Sequence, residues 1–178
     1  AKQKAHNTPT EGKTIAGRST RRIVYPMRIL VINPGSTSTK MAVYEDTKPL
    51  IQHAITHSTK ELARFDTTTS QYDFRKQLVL DELKRMRIDF NFDAVIGRGG
   101  LAKPVAGGVY EINQQMLDDV RNAVHQHACD LGCLIAYEIA HEIPGCRSFI
   151  ADPGVVDELS PLARVSGPSC HASASGTL

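Results

Sequence analysis

A loop rich in hydroxyl groups joins two short apolar runs near the start of the chain and carries the residues best suited to chemistry. It runs from Asn33 to Lys40 with the sequence NPGSTSTK, so an amide, four hydroxyls and an ammonium group occur within eight positions. Gly35 has no Cβ and lets the backbone approach a ligand closely, and the polar side chains supply hydrogen-bond donors. These residue types favour a loop that binds phosphate.

The residues on either side of this loop predict two strands. Ile29 to Ile32 form a continuous apolar run that is too short for a helix. Met41 and Val43 alternate with other positions, as in a strand that is covered on one face. The expected element is a strand, a polar loop and a returning strand.

Other loop types fit this stretch less well. A Walker loop has a Gly directly before its Lys and a helix after it, whereas here Thr39 precedes Lys40 and a strand follows. A nucleophile elbow would need a closing Gly and a helix after Ser36. Because Ser, Thr, Gly and Asn are also ordinary hairpin residues, composition alone leaves a turn without a ligand as the alternative.

Arg98 is a second residue that could bind an anion. It follows a predicted strand from Phe92 to Gly97 and precedes Gly99 and Gly100. Open α/β sheets bind ligands at the carboxyl ends of their strands, and a guanidinium can hold a carboxylate or phosphoryl group through two parallel hydrogen bonds. In isolation, a surface arginine in a glycine turn is an equal alternative.

Asp152 ends another predicted strand, which runs from Arg147 to Ala151. A carboxylate at the end of a strand, opposite a phosphate loop, commonly holds Mg²⁺ directly or through water. His125 and His127 lie two residues apart and would point to different faces of a helix, so we predict no metal pair there.

The remaining pattern predicts an α/β sheet with flanking helices. A third strand is expected at 50–55, and helices are expected from Tyr72, after Asn113, and from 131 to 143 before Pro144. In the first helix the apolar face is assigned to Phe74, Leu78, Val79, Leu83 and Met86, with Arg75 placed elsewhere.

The bulk properties are those of a soluble globular protein. The chain has 178 residues, of which 41% are hydrophobic and 22% charged, and no apolar run is long enough to cross a bilayer. No signal peptide is recognised, so we expect a cytoplasmic protein that contacts no membrane. Its four cysteines show no Cys-x-x-Cys spacing, which predicts neither zinc nor a disulfide framework.

Charge is distributed unevenly along the chain. Removing residues 1–26 leaves 15 basic and 18 acidic residues, so the remainder is mildly acidic although the whole chain carries +2. A basic arm of this kind could bind nucleic acid or direct transit. Because no apolar periodicity accompanies the charges, we favour upstream sequence before Met27 and predict no nucleic-acid partner.

Three stretches resemble the butyrate kinases of the acetate and sugar kinase, Hsc70 and actin superfamily. They are 33–40, then 96–101 with 104–113, and finally 152–153 with 155–159. The match runs from Met27 to Gly167 and resembles the first half of such a kinase. It implies a ribonuclease H-like, actin-like ATPase lobe with a mixed sheet and flanking helices, as one of two lobes.

The resemblance also implies a reaction, in which butanoate and ATP give butanoyl phosphate and ADP. The cofactors would be ATP and Mg²⁺, the substrate a small carboxylate, and the full-length relatives homo-oligomers. The implied roles are catalysis for Arg98 and Asp152, phosphate binding for Asn33, Gly35, Ser36, Ser38 and Lys40, and metal binding for Asn33 and Asp152. His127 is a secondary candidate, since it resembles a family position near the active cleft.

Two alternatives remain open: an acetate kinase-type enzyme, or a non-catalytic nucleotide-fold domain that binds a partner. The expected domains are a basic, disordered extension at 1–26, a kinase lobe at 27–167 and a disordered tail at 168–178 that departs from the family. Gly154 also departs, since an aliphatic residue is expected there. With one lobe only, the chain is expected to be truncated and inactive alone.

Overall fold

A computed structural model describes residues 25–100, 103–123, 126–154, 156, 159–160, 162–166 and 171–172. Several predictions fall outside these ranges: Leu101, His125, Val155, Asp157 and Glu158, together with residues 1–24 of the extension. Of the predicted tail at 168–178, the structure describes only two residues.

Six strands form one mixed sheet in the order β3–β2–β1–β4–β6–β5. Their bounds are Arg28–Pro34 (β1), Ser38–Glu45 (β2), Lys48–Thr56 (β3), Ala94–Arg98 (β4), Val109–Glu111 (β5) and Arg147–Ala151 (β6). The first three form an antiparallel meander, while β4 lies parallel to β1 and β6 parallel to β4. This confirms the predicted mixed sheet with its meander at one edge.

Three strands were not predicted. The short strand β5 pairs antiparallel with β6 and closes that edge of the sheet. Val165–Ser166 (β7) and His171–Ala172 (β8) form a separate antiparallel pair. The second of these strands lies within the predicted tail.

Four helices accompany the sheet within the described residues: Thr59–Leu62 (α1), Tyr72–Arg85 (α2), Gln114–Arg121 (α3) and Leu131–His141 (α4). The predicted cap is present, since Asn113 Oδ1 accepts a hydrogen bond from the N–H of Met116 at 3.0 Å. Helix α4 packs on β1, β4 and β6, and α2 packs on α4 and β2. No helix of the described ranges is long and apolar enough to span a membrane.

The core lies between these helices and one face of the sheet. Leu30, Ile32, Val43, Val95 and Ile150 are fully buried there, as the alternation of side chains along strands requires. Val31, Ile96 and Phe149 alternate with them, pair across neighbouring strands and are only half-buried. Asn33 and Arg98, two residues further along β1 and β4, continue this second face.

The buried face of α2 differs from the prediction. Its fully buried residues are Arg75, Val79 and Leu83, spaced four apart, whereas Phe74 and Leu78 are half-buried. The helix is therefore rotated toward Arg75, which was placed outside the apolar face. The physical reason is that Arg75 has polar partners inside the protein, which a local pattern cannot reveal.

Helix α4 crosses β4 at very close range. A Cβ built on Gly97 would lie 2.1 Å from the carbonyl oxygen of Gly132, and one on Gly132 would lie 2.6 Å from the carbonyl oxygen of Arg98. Only glycine fits at either position. This contact fixes the start of α4 against the end of β4, where Arg98 emerges.

Candidate functional site

The loop between β1 and β2 is a tight hairpin connection. The N–H of Gly35 donates to the carbonyl of Ser38 at 2.7 Å, which leaves Ser36 and Thr37 exposed at the tip. The tip is also held from outside the hairpin, because His57 N–H donates to the carbonyl of Thr37 at 2.9 Å. The loop therefore has a defined shape that owes little to its own exposed side chains.

The predicted site residues form a row across the sheet. Asn33 on β1 is paired with Lys40 on β2, and Arg98 on β4 is paired with Ala151 on β6. The pairing of Ile32 with Gly97 makes Asn33 and Arg98 the next residues on two adjacent parallel strands. The amide, the ammonium and the guanidinium thus leave the same edge and the same face of the sheet.

A cleft of about 410 Å³ opens over this edge. It brings together every predicted phosphate-binding residue, Arg98 and the secondary candidate, and it is lined by Asn33, Pro34, Gly35, Ser36, Thr37, Ser38, Lys40, Arg98, His127, Ala128 and Cys129. Residues that are far apart in sequence therefore share one cavity. Asp152 is not among the lining residues.

The lining of the cleft is cationic. Lys40 and Arg98 both lie in it with exposed side chains, and none of its described lining residues is a carboxylate. Cations in a concave wall attract anions and raise their local concentration. The cleft is suited to phosphate or carboxylate groups.

Two glycines after Arg98 make room for the segment before α4. A Cβ on Gly99 would lie 2.7 Å from the Cβ of Cys129, and one on Gly100 would lie 2.9 Å from the Cα of Asp130. Both glycines also have φ above +80°, a region that other residues rarely adopt. The Gly-Gly pair therefore lets the segment that follows His127 pack directly behind Arg98, and both side chains line one cleft.

Arg75 is a residue behind the candidate site that the sequence reasoning missed. Its side chain is fully buried behind the loop, where it donates to the carbonyls of Gly35, Ser36 and Ser38 and to Oγ1 of Thr39. Burial lowers the pKa of its guanidinium, although an arginine side chain stays charged in proteins. The one available signal was its spacing of four and eight residues from Val79 and Leu83.

His57 is a second residue that was missed. It is buried after β3, with Nε2 at 2.8 Å from Oγ1 of Thr39. Burial lowers the pKa of His57, and the nearby charge of Arg75 lowers it further. Both effects favour the neutral form of the imidazole beneath the hairpin.

Asp152, the predicted metal carboxylate, has an unusual backbone conformation. It directly follows β6, is exposed, and has φ of +46°. The N–H of Gly99 donates to the carbonyl of Ala151 at 3.2 Å, so Asp152 lies one residue beyond the row that contains Arg98. One strand, β4, separates it from Asn33, the other predicted metal residue.

The side chains near the cleft suit Mg²⁺ better than they suit a metal ion whose ligands all come from the protein. No group of three or more His, Cys, Asp or Glu that could hold a metal occurs in the described ranges. Mg²⁺ typically uses one or two carboxylates together with substrate phosphates and waters. A single exposed carboxylate at Asp152, one residue beyond the row that contains Arg98, is compatible with that pattern.

A second cavity of about 340 Å³ lies on the meander, and it shares Asn33 and Lys40 with the cleft. Its other lining residues are largely apolar and come from β1, β2 and β3. Asn33 and Lys40 therefore form the boundary between a polar and an apolar depression.

Comparison with known proteins gives close relatives by sequence. The chain is 57% identical over 141 residues to a "Probable butyrate kinase" of Bacteroides thetaiotaomicron and 53% identical over 141 residues to one of Phocaeicola vulgatus. It is 47% identical over 142 residues to "Butyrate kinase 1" of Clostridium acetobutylicum. Each match covers 79% of this chain and 40% of the relative.

Solved structures are more distant. A propionate kinase from Francisella tularensis and an acetate kinase from Porphyromonas gingivalis are 17% and 19% identical, each with a TM-score of 0.45 over 74% of this chain and 37% of the other. Since both scores are below 0.5, nothing about this chain rests on them. No protein-family model matches the chain.

Two of the three stretches that resemble this family contribute residues to the cleft, namely 33–40 and Arg98. Over 79% of its length the chain is a homologue of the butyrate kinases, and it spans about 40% of the length of these relatives.

Proposed function

We propose that this chain forms the phosphate- and carboxylate-binding side of an ATP-dependent carboxylate kinase. The reaction is butanoate plus ATP giving butanoyl phosphate plus ADP. The observation that carries the proposal is the cleft in which a hydroxyl-rich loop, Lys40 and Arg98 meet with no carboxylate in the described lining. Because the chain spans 40% of the relatives' length, the activity is a proposal for the protein that contains it.

The residues of the cleft, together with Asp152 outside its lining, have separate binding roles. The loop from Gly35 to Ser38 and the ammonium of Lys40 bind phosphate oxygens, with Asn33 beside them. Arg98 binds the substrate carboxylate and the transferring phosphoryl group, since a forked guanidinium can hold two oxygens at once. Asp152 holds Mg²⁺, which neutralises phosphate charge when it is bound.

The chemistry then needs no nucleophile from the protein. A carboxylate oxygen of butanoate attacks the γ-phosphorus, the bond from that phosphorus to the bridging oxygen breaks, and ADP leaves with the electron pair. Positioning and charge stabilisation account for most of the catalysis in such transfers. Arg98 is therefore the residue on which the rate depends most strongly.

A chimera tests the proposal. The matched 142-residue segment of the Clostridium acetobutylicum relative is replaced by the corresponding segment of this chain, and the product is incubated with butyrate, ATP and Mg²⁺. Hydroxylamine traps any acyl phosphate as a hydroxamate. We expect turnover in the chimera and none in the same chimera carrying Arg98→Ala.

Two results would each contradict the proposal and favour an alternative function. A folded chimera that binds ATP but forms no hydroxamate would favour the non-catalytic interaction domain. Turnover of acetate equal to or faster than turnover of butyrate would favour the acetate kinase-type enzyme. The unaltered relative serves as the positive control in both cases.

A further inference from the structure

Arg75 is a fully buried cation without a carboxylate partner in the described part of the protein. Its guanidinium instead donates to three carbonyls of the loop: Nη1 to the carbonyl of Gly35 at 2.8 Å and of Ser38 at 3.3 Å, and Nη2 to the carbonyl of Ser36 at 3.2 Å. Burying an unpaired charge is costly, so a position of this kind needs a reason beyond packing.

The orientation of those carbonyls fixes the orientation of the loop amides. In a planar trans peptide the C=O and the following N–H point in opposite directions. Since the carbonyls of Gly35 and Ser36 point inward to Arg75, the N–H groups of Ser36 and Thr37 point away from it. Neither N–H has a hydrogen-bond acceptor among the described residues, and both residues line the cleft.

Arginine is the side chain that can do this. Its planar group presents five N–H donors, and here Nε and Nη2 also donate to Oε1 of Gln71 at 3.0 and 2.8 Å, which fixes the plane of the guanidinium. A lysine would place all its donors on one nitrogen and could not reach both Ser36 and Gly35 with the same geometry. Gln71, one helical turn earlier, thus orients Arg75.

We propose that Arg75 is the positioning residue of the phosphate loop: it turns the loop carbonyls inward so that the N–H groups of Ser36 and Thr37 face a bound phosphate, and it places a buried positive charge behind them. Successive backbone N–H groups that converge in this way form an anion site. The identity of the anion as a phosphate group of the nucleotide rests on the proposed function. The shape of the loop does not.

Variants of the full 178-residue chain test the effect of Arg75 on the loop shape separately from the identity of the bound anion. The substitutions are Arg75→Gln and Arg75→Lys, with Leu83→Ala as the matched control, because Leu83 lies on the buried face of the same helix and does not contact the loop carbonyls. Amide hydrogen exchange at Gly35 measures how often the loop opens, since that N–H donates to the carbonyl of Ser38. Titration with pyrophosphate and Mg²⁺ reports binding.

We expect both Arg75 variants to exchange the Gly35 amide at least about tenfold faster and to bind pyrophosphate at least about tenfold more weakly, as loss of charge-assisted hydrogen bonds implies. The Leu83→Ala control should change both quantities by less than about twofold, although it lowers overall stability. Arg75→Lys keeps the charge, so an equal loss in that variant assigns the effect to geometry.

Several results would overturn the inference. One is that both Arg75 variants show the same Gly35 exchange rate and the same pyrophosphate affinity as the Leu83→Ala control. Another is that the Gly35 amide exchanges at the wild-type rate in both Arg75 variants. Unfolding of the whole chain in both variants would also do so, because Arg75 would then support the domain and not the loop. A wild-type chain that binds no pyrophosphate would contradict the proposed function, while the exchange rates would still decide the role of Arg75.

Discussion

The side chains of Thr39 and His57 are joined by a buried hydrogen bond directly beneath the loop between β1 and β2, with 2.8 Å between Oγ1 and Nε2. The same hydroxyl accepts from Nη1 of Arg75 at 3.2 Å. A protonated His57 would face the positive charge of Arg75 and would carry a second N–H at Nδ1, a buried atom that has no hydrogen-bond partner among the described residues. The hairpin is therefore built for a neutral histidine.

This arrangement predicts how stability depends on pH. The pKa of His57 in the folded protein lies below its ordinary value of 6.5, chiefly because of burial and then because of Arg75, whereas Glu61 acts in the opposite direction. As pH falls below about 6.5, the unfolded chain binds a proton before the folded one does. The stabilisation is therefore complete above that pH and is lost as pH falls toward the folded pKa, at up to about 1.4 kcal/mol per pH unit.

Urea unfolding at pH 7.5 and 5.5 measures this effect. Wild type should lose more free energy of unfolding between the two values than His57→Gln, which has no titrating group beneath the loop. His141→Gln, at the exposed last residue of α4, is the control and should lose as much free energy of unfolding as wild type. Equal losses in wild type and His57→Gln would show that His57 is not the titrating group.

The contact between Gly97 and Gly132 predicts a large effect from one methyl group. Gly97→Ala should lower the free energy of unfolding by at least about 2 kcal/mol, because its Cβ would lie 2.1 Å from a backbone oxygen that cannot move without shifting α4. The same shift would displace Arg98, so ligand binding should weaken too. Denaturant unfolding and pyrophosphate titration measure the two consequences.

Gly154→Ala is the matched control for this substitution. A Cβ at Gly154 would meet no atom of the described residues within 4 Å, and no positive φ is found there. Its stability should stay within about 0.5 kcal/mol of wild type. If the two alanine variants are equally stable, the close packing of α4 on β4 is not what positions Arg98.

Much of this fold follows from local pattern. The apolar run at 29–32 and the 3.6-residue spacing at 131–143 predict β1 and α4 correctly, because burial imposes those periods directly. Strand β5 was missed, since it has three residues and follows Gly107 and Gly108 without alternation. Its position depends on pairing with β6, which no local window contains.

The candidate site likewise contains residues that local sequence predicts and residues that it does not. Asn33, Lys40 and Arg98 could be named from residue type and from their position at strand ends. Arg75 could not, because its partner Gly35 lies 40 residues earlier and a charge on a helix is normally assigned to solvent. Residues that touch a ligand leave a local signature, whereas residues that shape the loop from behind do so only in three dimensions.

Asp152 has a left-handed backbone and an exposed carboxylate. The first feature predicts how Asp152→Asn affects stability, and the second predicts how it affects Mg²⁺ dependence. Asp152→Asn should leave the free energy of unfolding within about 0.5 kcal/mol, because asparagine also tolerates positive φ. It should raise the Mg²⁺ concentration needed for pyrophosphate binding, because an amide is a weaker ligand for a hard cation. Isothermal titration at several Mg²⁺ concentrations measures the shift.

Asp46→Asn is the control for this variant. Asp46 also has positive φ, at 50°, but it lies in the turn between β2 and β3, at the opposite end of β2 from Lys40. It should leave the Mg²⁺ dependence unchanged. If Asp152→Asn does the same, Asp152 is not the metal carboxylate, and its backbone conformation has another cause.

Arg98→Lys tests geometry against charge at the centre of the site. The side chain is exposed and emerges at the end of β4 beside Asn33, so lysine should be accommodated with little loss of stability. It cannot hold two oxygens of one group in parallel, so kcat of the chimera described above should fall by about 100-fold or more while its unfolding midpoint is unchanged. Arg64→Lys, at another exposed arginine on the turn after α1, should leave both quantities unaltered. A kcat near that of the parent chimera would mean that Arg98 contributes only its charge, and that the transferring phosphoryl group is held by other residues.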